Sequence, residues 1–409
     1  MKMEDGAPIP SKSLENVGIL FPNFGPYHSA RLENLAGQLE QSSRRLVCFR
    51  LTVGSDVYSW RPCAPRNAPT ITLARTSTGV LEALRIGFRL FREIRHRGIQ
   101  VMLLPSYSPL PNLMCVFASK AAGARVVLMC DSWEMSGRRG GFARVIKRFL
   151  VGLFDSAFVA GTRHCQYLVD NGFCRNKIFK GYDVVDNSFF IDRCAGISEG
   201  RSACSVRGGM PERYFLNVGR LVTKKNLGML LQAFSEILER FPYSDISLVL
   251  VGDGPALEAL RSDAAALGVP WEEFGCNSEA APSRCIVSLG FLQIEELPSI
   301  FAAAEAFVLP SLWEEWGLVI NEALACSVPV IVSDRVGCAT DLVREGWNGA
   351  IFPFDNVEAL ILEMSKFLSD GAYRAKLSKN CVESVSEWSL DRFGTNAMAA
   401  AECAYRERK

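Results

Sequence analysis

The sequence predicts an α/β protein built from two doubly wound domains that face each other across a cleft. Three observations predict it: a length of 409 residues, a regular alternation of short apolar runs with longer amphipathic stretches, and one polar interruption near the middle of the chain. Ordinary domains hold roughly 100–200 residues, so a chain of this length divides into two of similar size. Strands that helices cover on both faces lose their polar alternation, and the short runs have this pattern.

The first half contains apolar runs that we assign to strands, at 17–21, 46–53, 101–105, 124–130 and 156–161. An amphipathic stretch follows each run, as in the strand-helix-strand units of a parallel sheet. The pattern lapses between Asp192 and Arg213, a segment rich in Ser, Gly and Arg that is typical of a linker. We therefore place a first domain at 1–205.

The apolar runs resume at 214–219, 247–252, 284–290, 306–311, 329–334 and 349–354. They predict a second doubly wound domain at 206–388. Within it, the segment 270–283 breaks the rhythm and is interpreted as an exposed insertion without an assigned role. The remaining 389–409 is predicted to be a helix, from about Leu390 to Arg408, that could pack back on the first domain.

Composition argues against several classes of function. Lys plus Arg number 45 and Asp plus Glu number 44, so the net charge of +1 creates no global field that would attract nucleic acid. The 14 cysteines include no C-x-x-C pair and the chain has 3 histidines, so neither a zinc site nor a disulfide framework is readable. We expect no metal, no nucleic-acid partner and a reducing compartment.

The N-terminal stretch MKMEDGAPIPSKSLENVGIL contains no long apolar region, and no later segment of about 18 residues lacks charge. The expectation is a cytoplasmic protein without a signal peptide, which could still bind peripherally to the inner face of the membrane.

A basic cluster follows the first strand of the second domain. Doubly wound sheets bind ligands beyond the carboxyl ends of their strands, so residues at these positions are candidates for a site. Arg220, Lys224 and Lys225 lie there and can converge on an anion, for which a diphosphate is the commonest ligand in this fold. A solvated basic turn is the alternative.

A glycine pair follows the next strand. Gly252 and Gly254 predict a tight turn into a helix whose free N–H groups face the cleft. Ala256 and Leu257 follow, so the third glycine of the dinucleotide fingerprint is absent and NAD binding is weakly supported.

Two glutamates follow the strand at 306–311. Glu314 lies in the loop and Glu322 on a helix predicted to start near Trp316, so both carboxylates can border one pocket, with Gly317 allowing close backbone approach. Glu322 can accept hydrogen bonds from ribose hydroxyls, Glu314 can contact a sugar hydroxyl, and the helix N-terminus offers N–H groups to phosphates. The alternative is two ordinary helix-start or exposed glutamates.

These motifs resemble those of a known family. The stretches NVGRLVTKKN, LVLVGDGP, VSLGFLQIEELPSIFAAAEAFVLPS, EEWGLVINEALACSVPVIVSD and GWNGAIFPFDN cover most of 214–356 in the order and spacing of the family 4 glycosyltransferases. They include that family's E-x7-E motif, as Glu314 to Glu322. The resemblance implies the two-domain GT-B fold, with two Rossmann-like domains, and a retaining glycosyltransferase.

The resemblance also implies roles for residues of the second half. Arg220 and Lys225 would hold the donor diphosphate, Glu314 would contact the transferred sugar, and Glu322 would hold the ribose. Arg220, Lys225 and Glu314 would be the catalytic residues. Lys224 fits the family pattern less well. The donor is expected to be a UDP- or GDP-linked sugar, with no further cofactor. The donor-binding set so predicted is Gly25, Gly219, Arg220, Lys225, Gly252, Glu314, Trp316, Gly317, Leu318, Val319 and Glu322.

The first half resembles the family through the loop FGPYHSARLENLA, in which Gly25 opens the first helix. Many members carry a His-Asp pair where this chain has LMCDSW, so Cys130 stands in the place of the histidine, before Asp131. His28 and Asp131 are candidates for the acceptor or sugar side. His164, near the end of the fifth strand, is a further cleft candidate beside His28. A polar residue at a helix start needs no further function, which is the alternative for His28.

The function predicted is transfer of a sugar from a nucleotide-diphosphate sugar to a hydroxyl of a glycan, lipid-linked or small-molecule acceptor, with front-face departure and attack implied by the resemblance. Two rivals remain: a catalytically silent GT-B-like binding subunit, and a glycosidase that uses Glu314 and Glu322 as its two carboxylates.

Two stretches of the first half, 84–98 and 138–154, mix basic and apolar residues at helical spacing. They predict weak, salt-sensitive binding to an anionic membrane surface. Helices that pack their apolar faces on their own sheet are the alternative.

Overall fold

The computed structural model describes residues 13–53, 60–135, 141–198, 210–273 and 283–406, and these residues form two parallel sheets of seven strands each. The strands of the first sheet are β1 (Asn16–Phe21), β2 (Arg45–Arg50), β3 (Thr70–Thr72), β4 (Val101–Pro105), β5 (Arg125–Cys130), β6 (Ser156–Val159) and β7 (Ile178–Lys180). Their order across the sheet is β3-β2-β1-β4-β5-β6-β7.

The second sheet repeats this plan. Its strands are β8 (Tyr214–Val218), β9 (Ser247–Val251), β10 (Trp271–Glu273), β11 (Ile286–Ser288), β12 (Ala306–Leu309), β13 (Val330–Ser333) and β14 (Gly349–Phe352), in the order β10-β11-β9-β8-β12-β13-β14. In each sheet the strand order reverses at the first strand, which lies between β2 and β4 or between β9 and β12. The prediction of two doubly wound domains is confirmed, and a ligand crevice is expected at both reversal points.

Helices cover both sheets. In the first part of the chain they are α1 (Pro26–Gln41), α2 (Val80–Arg97), α3 (Leu110–Ala121), α4 (Gly141–Val151), α5 (Thr162–Asp170) and α6 (Asn187–Ser198). In the second part they are α7 (Leu227–Arg240), α8 (Leu257–Ala266), α9 (Leu297–Ala302), α10 (Leu318–Ala325), α11 (Ala339–Leu342), α12 (Val357–Ser369), α13 (Tyr373–Ser378), α14 (Cys381–Ser386) and α15 (Leu390–Arg406).

Strand β1 illustrates why the strands read as continuous apolar runs. Val17, Ile19 and Phe21 face one hydrophobic core and Leu20 faces another, and all four are fully buried. A strand with a core on each face has no position left for a polar side chain, so the alternation typical of half-exposed strands is absent.

The C-terminal helix α15 packs against α1 and the strands β4 to β7 of the first sheet, as the sequence suggested. The hydroxyl of Ser156 donates to the carbonyl of Ala400 at 2.7 Å, and Arg44 pairs with Glu402 at 2.7 Å. Helix α6, which precedes the second domain, instead packs against α9 and α10. The chain therefore crosses between the two sheets twice.

The structure differs from the sequence expectations in the linker, in the insertion, and in the edge strands β3 and β7, which the apolar runs did not predict. The predicted linker begins later than expected, because α6 continues through Ser198; the rest of it, up to 209, lies outside the described residues. Part of the predicted insertion is an edge strand, since Trp271–Glu273 pairs with β11 as β10, and 274–282 lies outside the described residues. Among the described residues, no helix has both the length and the apolar character needed to cross a bilayer.

Candidate functional site

A cavity of about 890 Å³ lies between the two sheets, at the carboxyl ends of their strands. The cleft candidate His164 is not among the residues that line this cavity, whereas the predicted donor-binding residues, His28 and Asp131 all line it: Gly25, His28, Asp131, Gly219, Arg220, Lys225, Gly252, Glu314, Trp316, Gly317, Leu318, Val319 and Glu322. The fold therefore brings together residues that are up to 297 positions apart in the sequence, as Gly25 and Glu322 are.

Glycine at 219 and 252 lets two strand ends approach closely. Gly252 has a φ of +135°, in the region that favours glycine, and a Cβ placed there would collide with the carbonyl group of Gly219. Gly254, at φ +159°, would likewise collide with the backbone of Leu221. The floor of the second-domain half is therefore bare backbone, which a ligand can approach without meeting side chains.

The lysines and the first glutamate form a compact ionic cluster. Lys225 Nζ contacts Glu314 Oε2 at 2.5 Å, and Lys224 Nζ contacts Glu315 at 2.6 Å and Glu314 Oε1 at 3.4 Å. Burial alone would raise the pKa of Glu314, but the two ammonium groups outweigh it and hold that pKa below its usual value. Glu314 is thus an ionised, charge-paired carboxylate, and Lys224 belongs to the cluster although its sequence position fitted the family pattern less well. Arg220 is exposed to the cavity.

Helix α10 begins at Leu318, two residues later than the sequence suggested, because Gly317 is its N-cap with φ +98°. Leu318 and Val319, whose N–H groups belong to the unpaired first turn of the helix, line the cavity. The side chain of Trp316 is buried: its Nε1 donates to Asn321 Oδ1 at 3.0 Å, and its ring packs on Trp388. What the segment offers to a ligand is therefore backbone N–H groups and the positive end of a helix dipole.

Glu322 lies on α10 with 2% of its surface exposed. Burial raises the pKa of its carboxyl to about 7, although the hydroxyl of Tyr27 opposes this by donating to Oε1 at 2.7 Å. Tyr27 belongs to α1, so this hydrogen bond crosses the cleft between the domains. The sequence analysis did not select Tyr27, although it lies two residues after Gly25 in the loop that follows β1.

His28 caps the first helix. Gly25 N donates to His28 Nδ1 at 3.2 Å, and burial, with the nearby Arg31, lowers the histidine pKa to about 3. The ring is therefore neutral, with its proton on Nε2. His164 caps α5 in the same way, through Gly161 N at 3.1 Å, and is fully buried, which makes it structural.

Asp131 follows β5 and is exposed to the cavity. The surrounding protein, and next the carboxylate of Asp183, raise the pKa of Asp131 to about 7. Cys130, in the position of the family histidine, is buried, and burial, with the neighbouring Asp131, raises the pKa of its thiol to about 12. This thiol stays protonated at neutral pH and offers only a weak hydrogen-bond donor in the place of the histidine.

The first domain also holds the loop before α10, through the backbone of Glu314 and Glu315. Trp133 Nε1 donates to the carbonyl of Glu314 at 2.9 Å, and His164 Nε2 contacts the carbonyl of Glu315 at 2.8 Å. With Nδ1 of His164 accepting from Gly161, Nε2 is the protonated nitrogen and donates. The sequence analysis passed over Trp133, yet its position just after β5 is the kind of signal that strand ends provide.

Comparisons with known proteins agree with this arrangement. Residues 212–370 match the family model described as glycosyl transferases group 1. A GDP-mannose-dependent alpha-(1-6)-phosphatidylinositol monomannoside mannosyltransferase of Mycolicibacterium smegmatis is 30% identical over 386 residues, which cover 88% of this chain and 90% of the relative. A UDP-Gal:alpha-D-GlcNAc-diphosphoundecaprenol alpha-1,3-galactosyltransferase of Escherichia coli is 29% identical over 222 residues, 53% of each chain.

Solved structures share the fold. A glycosyltransferase from Rickettsia africae superimposes with a TM-score of 0.70 at 13% identity, covering 97% of this chain and all of that one. HepE of Anabaena, in complex with UDP, superimposes with a TM-score of 0.67 at 14% identity, covering 94% of this chain and 98% of that one. At these identities the likeness concerns the GT-B fold alone. The mannosyltransferase match spans nearly the whole of both chains, and on that basis this chain belongs to the group 1 glycosyltransferases, GT-B enzymes that use nucleotide sugars.

Proposed function

We propose that this chain is a retaining glycosyltransferase that moves a hexosyl group from a UDP- or GDP-linked sugar to a hydroxyl of a glycan, lipid-linked or small-molecule acceptor. The observation that carries the proposal is the meeting of Lys225, Glu314, Glu322 and the first turn of α10 around one cavity. These groups supply a cation, two carboxylates and free N–H groups, which are the partners that a diphosphate, a ribose and a hexose require.

The diphosphate lies in this proposal against Arg220, Lys225 and the N–H groups of Leu318 and Val319. Negative charge develops on the diphosphate as the sugar leaves, so fixed positive groups at this place lower the barrier more than they strengthen ground-state binding. Glu322 accepts hydrogen bonds from the ribose hydroxyls.

Retention without a covalent intermediate is supported by the state of Glu314. A nucleophilic carboxylate must be free to move onto the anomeric carbon, whereas the carboxylate of Glu314 is restrained by ion pairs with Lys225 and Lys224. The same pairing argues against the glycosidase alternative, which needs one carboxylate free as nucleophile or base. In our proposal Glu314 orients a hydroxyl of the transferred sugar, and the leaving phosphate assists the acceptor from the same face.

Binding of the donor is tested by thermal unfolding of the protein with UDP-, GDP- and ADP-sugars. A ligand at 100 times its dissociation constant raises the free energy of unfolding by about 2.7 kcal/mol. Glu322→Gln is expected to abolish the stabilisation. Glu305→Gln is the matched control. The carboxylate of Glu305 also has a side-chain partner, Arg213 at 2.7 Å, but Glu305 lies outside the cavity. A stabilisation that Glu322→Gln retains in full would contradict the donor-site assignment.

Stereochemistry is tested separately. Proton NMR of the first product molecules should show the anomeric configuration of the donor. A product with the inverted anomeric configuration would refute the retaining mechanism but would not contradict the donor-site assignment.

The alternative of a catalytically silent binding subunit is supported by Cys130, because its protonated thiol lies in the place of a sugar-contacting histidine. Saturable donor binding without nucleoside-diphosphate release on any acceptor would favour it, whereas turnover removes it.

An anionic membrane surface is part of the proposal for the acceptor side. On α2, Leu81, Leu84 and Phe88 are exposed and form one stripe, with the exposed Arg85 and Arg92 beside it. This arrangement suits a helix that lies in a membrane interface. The inward face of α2 packs against α3 and in the hydrophobic core beside the first sheet, so the exposed stripe makes no contribution to that core.

Helix α4 adds a second exposed apolar face. Val145 is 65% and Phe149 67% exposed, and Arg144 and Arg148 are exposed on the same helix. The part of the predicted amphipathic stretch at 138–140 lies outside the described residues.

Membrane binding is tested by flotation with phosphatidylglycerol-containing liposomes at low salt. The protein should be recovered in the liposome fraction, and Phe149→Ser together with Phe88→Ser should abolish this recovery. Free protein at low salt would overturn the idea.

A further inference from the structure

Helix α5 of the first domain starts at a glycine that only the second domain explains. Gly161 is the N-cap of α5, and its φ of −156° is extended backbone that is open to any residue. A Cβ placed on it would nevertheless collide with the ring of Trp316 and the carboxylate of Asp341, which both belong to the second domain. The glycine is therefore required by the contact between the domains and not by the backbone of its own domain.

The residue after this glycine bonds to the same aspartate. Asp341, on α11, accepts from the N–H of Thr162 at 2.9 Å and from the Thr162 hydroxyl at 2.6 Å. The first N–H groups of a helix have no acceptor in their own helix. The second domain therefore supplies an acceptor that α5 itself lacks.

The next two residues donate to main-chain carbonyls of the second domain. Arg163 Nη1 donates to the carbonyls of Asp334 at 2.8 Å and Val336 at 3.3 Å. His164 uses its two ring nitrogens differently: Nδ1 accepts the bond that caps α5, and Nε2 donates to the carbonyl of Glu315 at 2.8 Å. The cap stabilises the helix, whereas the bond from Nε2 and those of Arg163 link the helix to the other domain.

The loop before α10 that receives the bond of His164 is already fixed within the second domain. Glu314 N donates to the carbonyl of Arg335 at 3.0 Å, and Gly337 N donates to the carbonyl of Glu314 at 3.1 Å. The side chain of Glu314 is held by Lys225 and Lys224. Helix α5 is therefore not needed to shape this loop. It determines where the loop, and a donor bound to it, lie relative to the first domain.

We propose that residues 161–164 position the transfer reaction. They dock the first domain on the loops after β12 and β13, and so set the distance between the anomeric carbon of a donor held by the second domain and an acceptor hydroxyl in the cleft. Hydrogen bonds suit this task because they are directional and fix one geometry. His164 is a positioning residue that acts through the backbone of Glu315. The inference rests on the proposed function and adds the residues that align its two substrates.

Three substitutions separate docking from the stability of α5. Gly161→Ala adds one methyl group against the second domain and leaves every hydrogen-bonding group in place. His164→Asn can still accept from the N–H of Gly161, as polar residues at this helical position do, but is too short to reach the carbonyl of Glu315. His164→Gln reaches that carbonyl with its Nε2 and is the conservative rescue.

Amide hydrogen exchange of the full chain, resolved to single residues, measures docking without any substrate. Protection of the Thr162 N–H depends on Asp341 of the other domain. Gly161→Ala and His164→Asn should accelerate its exchange about tenfold or more, and His164→Gln should restore the protection. The N–H of Gly161, which reports the cap, should stay protected in His164→Asn. A Thr162 N–H that both Gly161→Ala and His164→Asn leave fully protected would overturn the inference.

The ratio of sugar transfer to donor hydrolysis measures the consequence for the reaction. The donor probes are UDP-glucose and GDP-mannose, and the acceptor probes are methyl α-D-glucopyranoside and methyl α-D-mannopyranoside. This ratio does not depend on the fraction of folded protein, so a merely structural defect leaves it unchanged. Since a displacement of about 1 Å can cost about 10²-fold in rate, Gly161→Ala should lower the ratio by about this factor. His164→Asn should lower it about tenfold, as one lost hydrogen bond does, and His164→Gln should restore it.

Gly37→Ala is the matched control. Gly37 lies in α1 of the same domain with open space around an added Cβ, so its replacement should change neither the exchange of Thr162 nor the transfer ratio. An unchanged ratio in Gly161→Ala, despite faster exchange at Thr162, would overturn the positioning role.

Nucleotide binding separates this inference from the donor assignment. Gly161→Ala should bind UDP or GDP no more weakly than the unmodified protein, because the proposed donor contacts belong to the second domain. Weaker binding would show that residues 161–164 act on the donor site itself and would overturn the inference. Absence of UDP and GDP binding by the unmodified protein would instead refute the donor site. Absence of any turnover would contradict the proposed function, and the exchange of Thr162 would then decide the docking by itself.

Discussion

Replacing Tyr27 by Phe should tighten binding of the nucleotide sugar. The hydroxyl of Tyr27 donates to Glu322 Oε1 at 2.7 Å, on the carboxylate that we assign to the ribose. A ribose hydroxyl that takes this place must first displace the tyrosine hydroxyl. The empty protein is therefore stabilised by a bond that the complex lacks, and the donor affinity is lowered by the free energy of that bond.

The size of the effect follows from the charge of the acceptor. A hydrogen bond to a charged group contributes about 1.5–3 kcal/mol. With a pKa of about 7, close to half of the Glu322 carboxyls are ionised at neutral pH. The effective contribution is then about 0.8–1.5 kcal/mol, and since 1.4 kcal/mol is a factor of ten, the dissociation constant should fall about 3- to 10-fold.

Isothermal titration with the donor identified by thermal screening measures this change. Tyr214→Phe is the matched control: its hydroxyl also donates at 2.7 Å, to the carbonyl of Ile300, but it lies in the core of the second domain. Tyr214→Phe should lower the free energy of unfolding and leave the dissociation constant unchanged. Equal or weaker donor binding by Tyr27→Phe would refute the reasoning, because the hydroxyl would then not occupy the place of the ribose.

Three further predictions concern the donor half. Donor affinity should rise up to about tenfold from pH 6 to pH 8, as Glu322 ionises around a pKa of about 7 and becomes a better acceptor, and an affinity that stays constant over this range would contradict the assignment of Glu322 to the ribose. Gly252→Ala should lose stability in thermal unfolding beyond the about 1–2 kcal/mol expected for Gly268→Ala, because both have positive φ but Gly268 has open space around it. Lys225→Met should lower kcat about 10²- to 10³-fold, with a smaller change in the donor dissociation constant measured by titration; an unchanged kcat with weaker donor binding would indicate that Lys225 acts only in binding.

The sequence predicted the fold because its strands obey a simple rule. Runs such as 17–21 and 214–219 are covered by helices on both faces, so they lose polar alternation and stand out against amphipathic helices. The edge strand Trp271–Glu273 was not predicted, because it is short, has two exposed glutamates and lies at the rim of the sheet. Short edge strands carry few of the apolar residues on which the pattern depends.

The candidate site was predictable where it follows strand ends within one domain, and less so where it depends on contacts between domains. Glu314 and Lys225 each follow a strand, and the common edge of a parallel sheet brings them together. Tyr27 meets Glu322 only because two separately folded sheets face each other, and no periodicity within either half encodes that contact. The same holds for Trp133, whose indole reaches the carbonyl of Glu314 from the other domain.

These contacts also explain how the empty site tolerates its buried charges. Lys225 and Glu314 neutralise each other, and Glu322 has a raised pKa and accepts a hydrogen bond from Tyr27. These three residues, which we propose for the donor, therefore each have a protein partner in the empty site. Donor binding then exchanges partners, and only the difference between the two sets appears as affinity. Of these protein partners Tyr27 alone belongs to the first domain, so donor entry breaks that link between the domains while the bond from Trp133 to the backbone of the loop can persist.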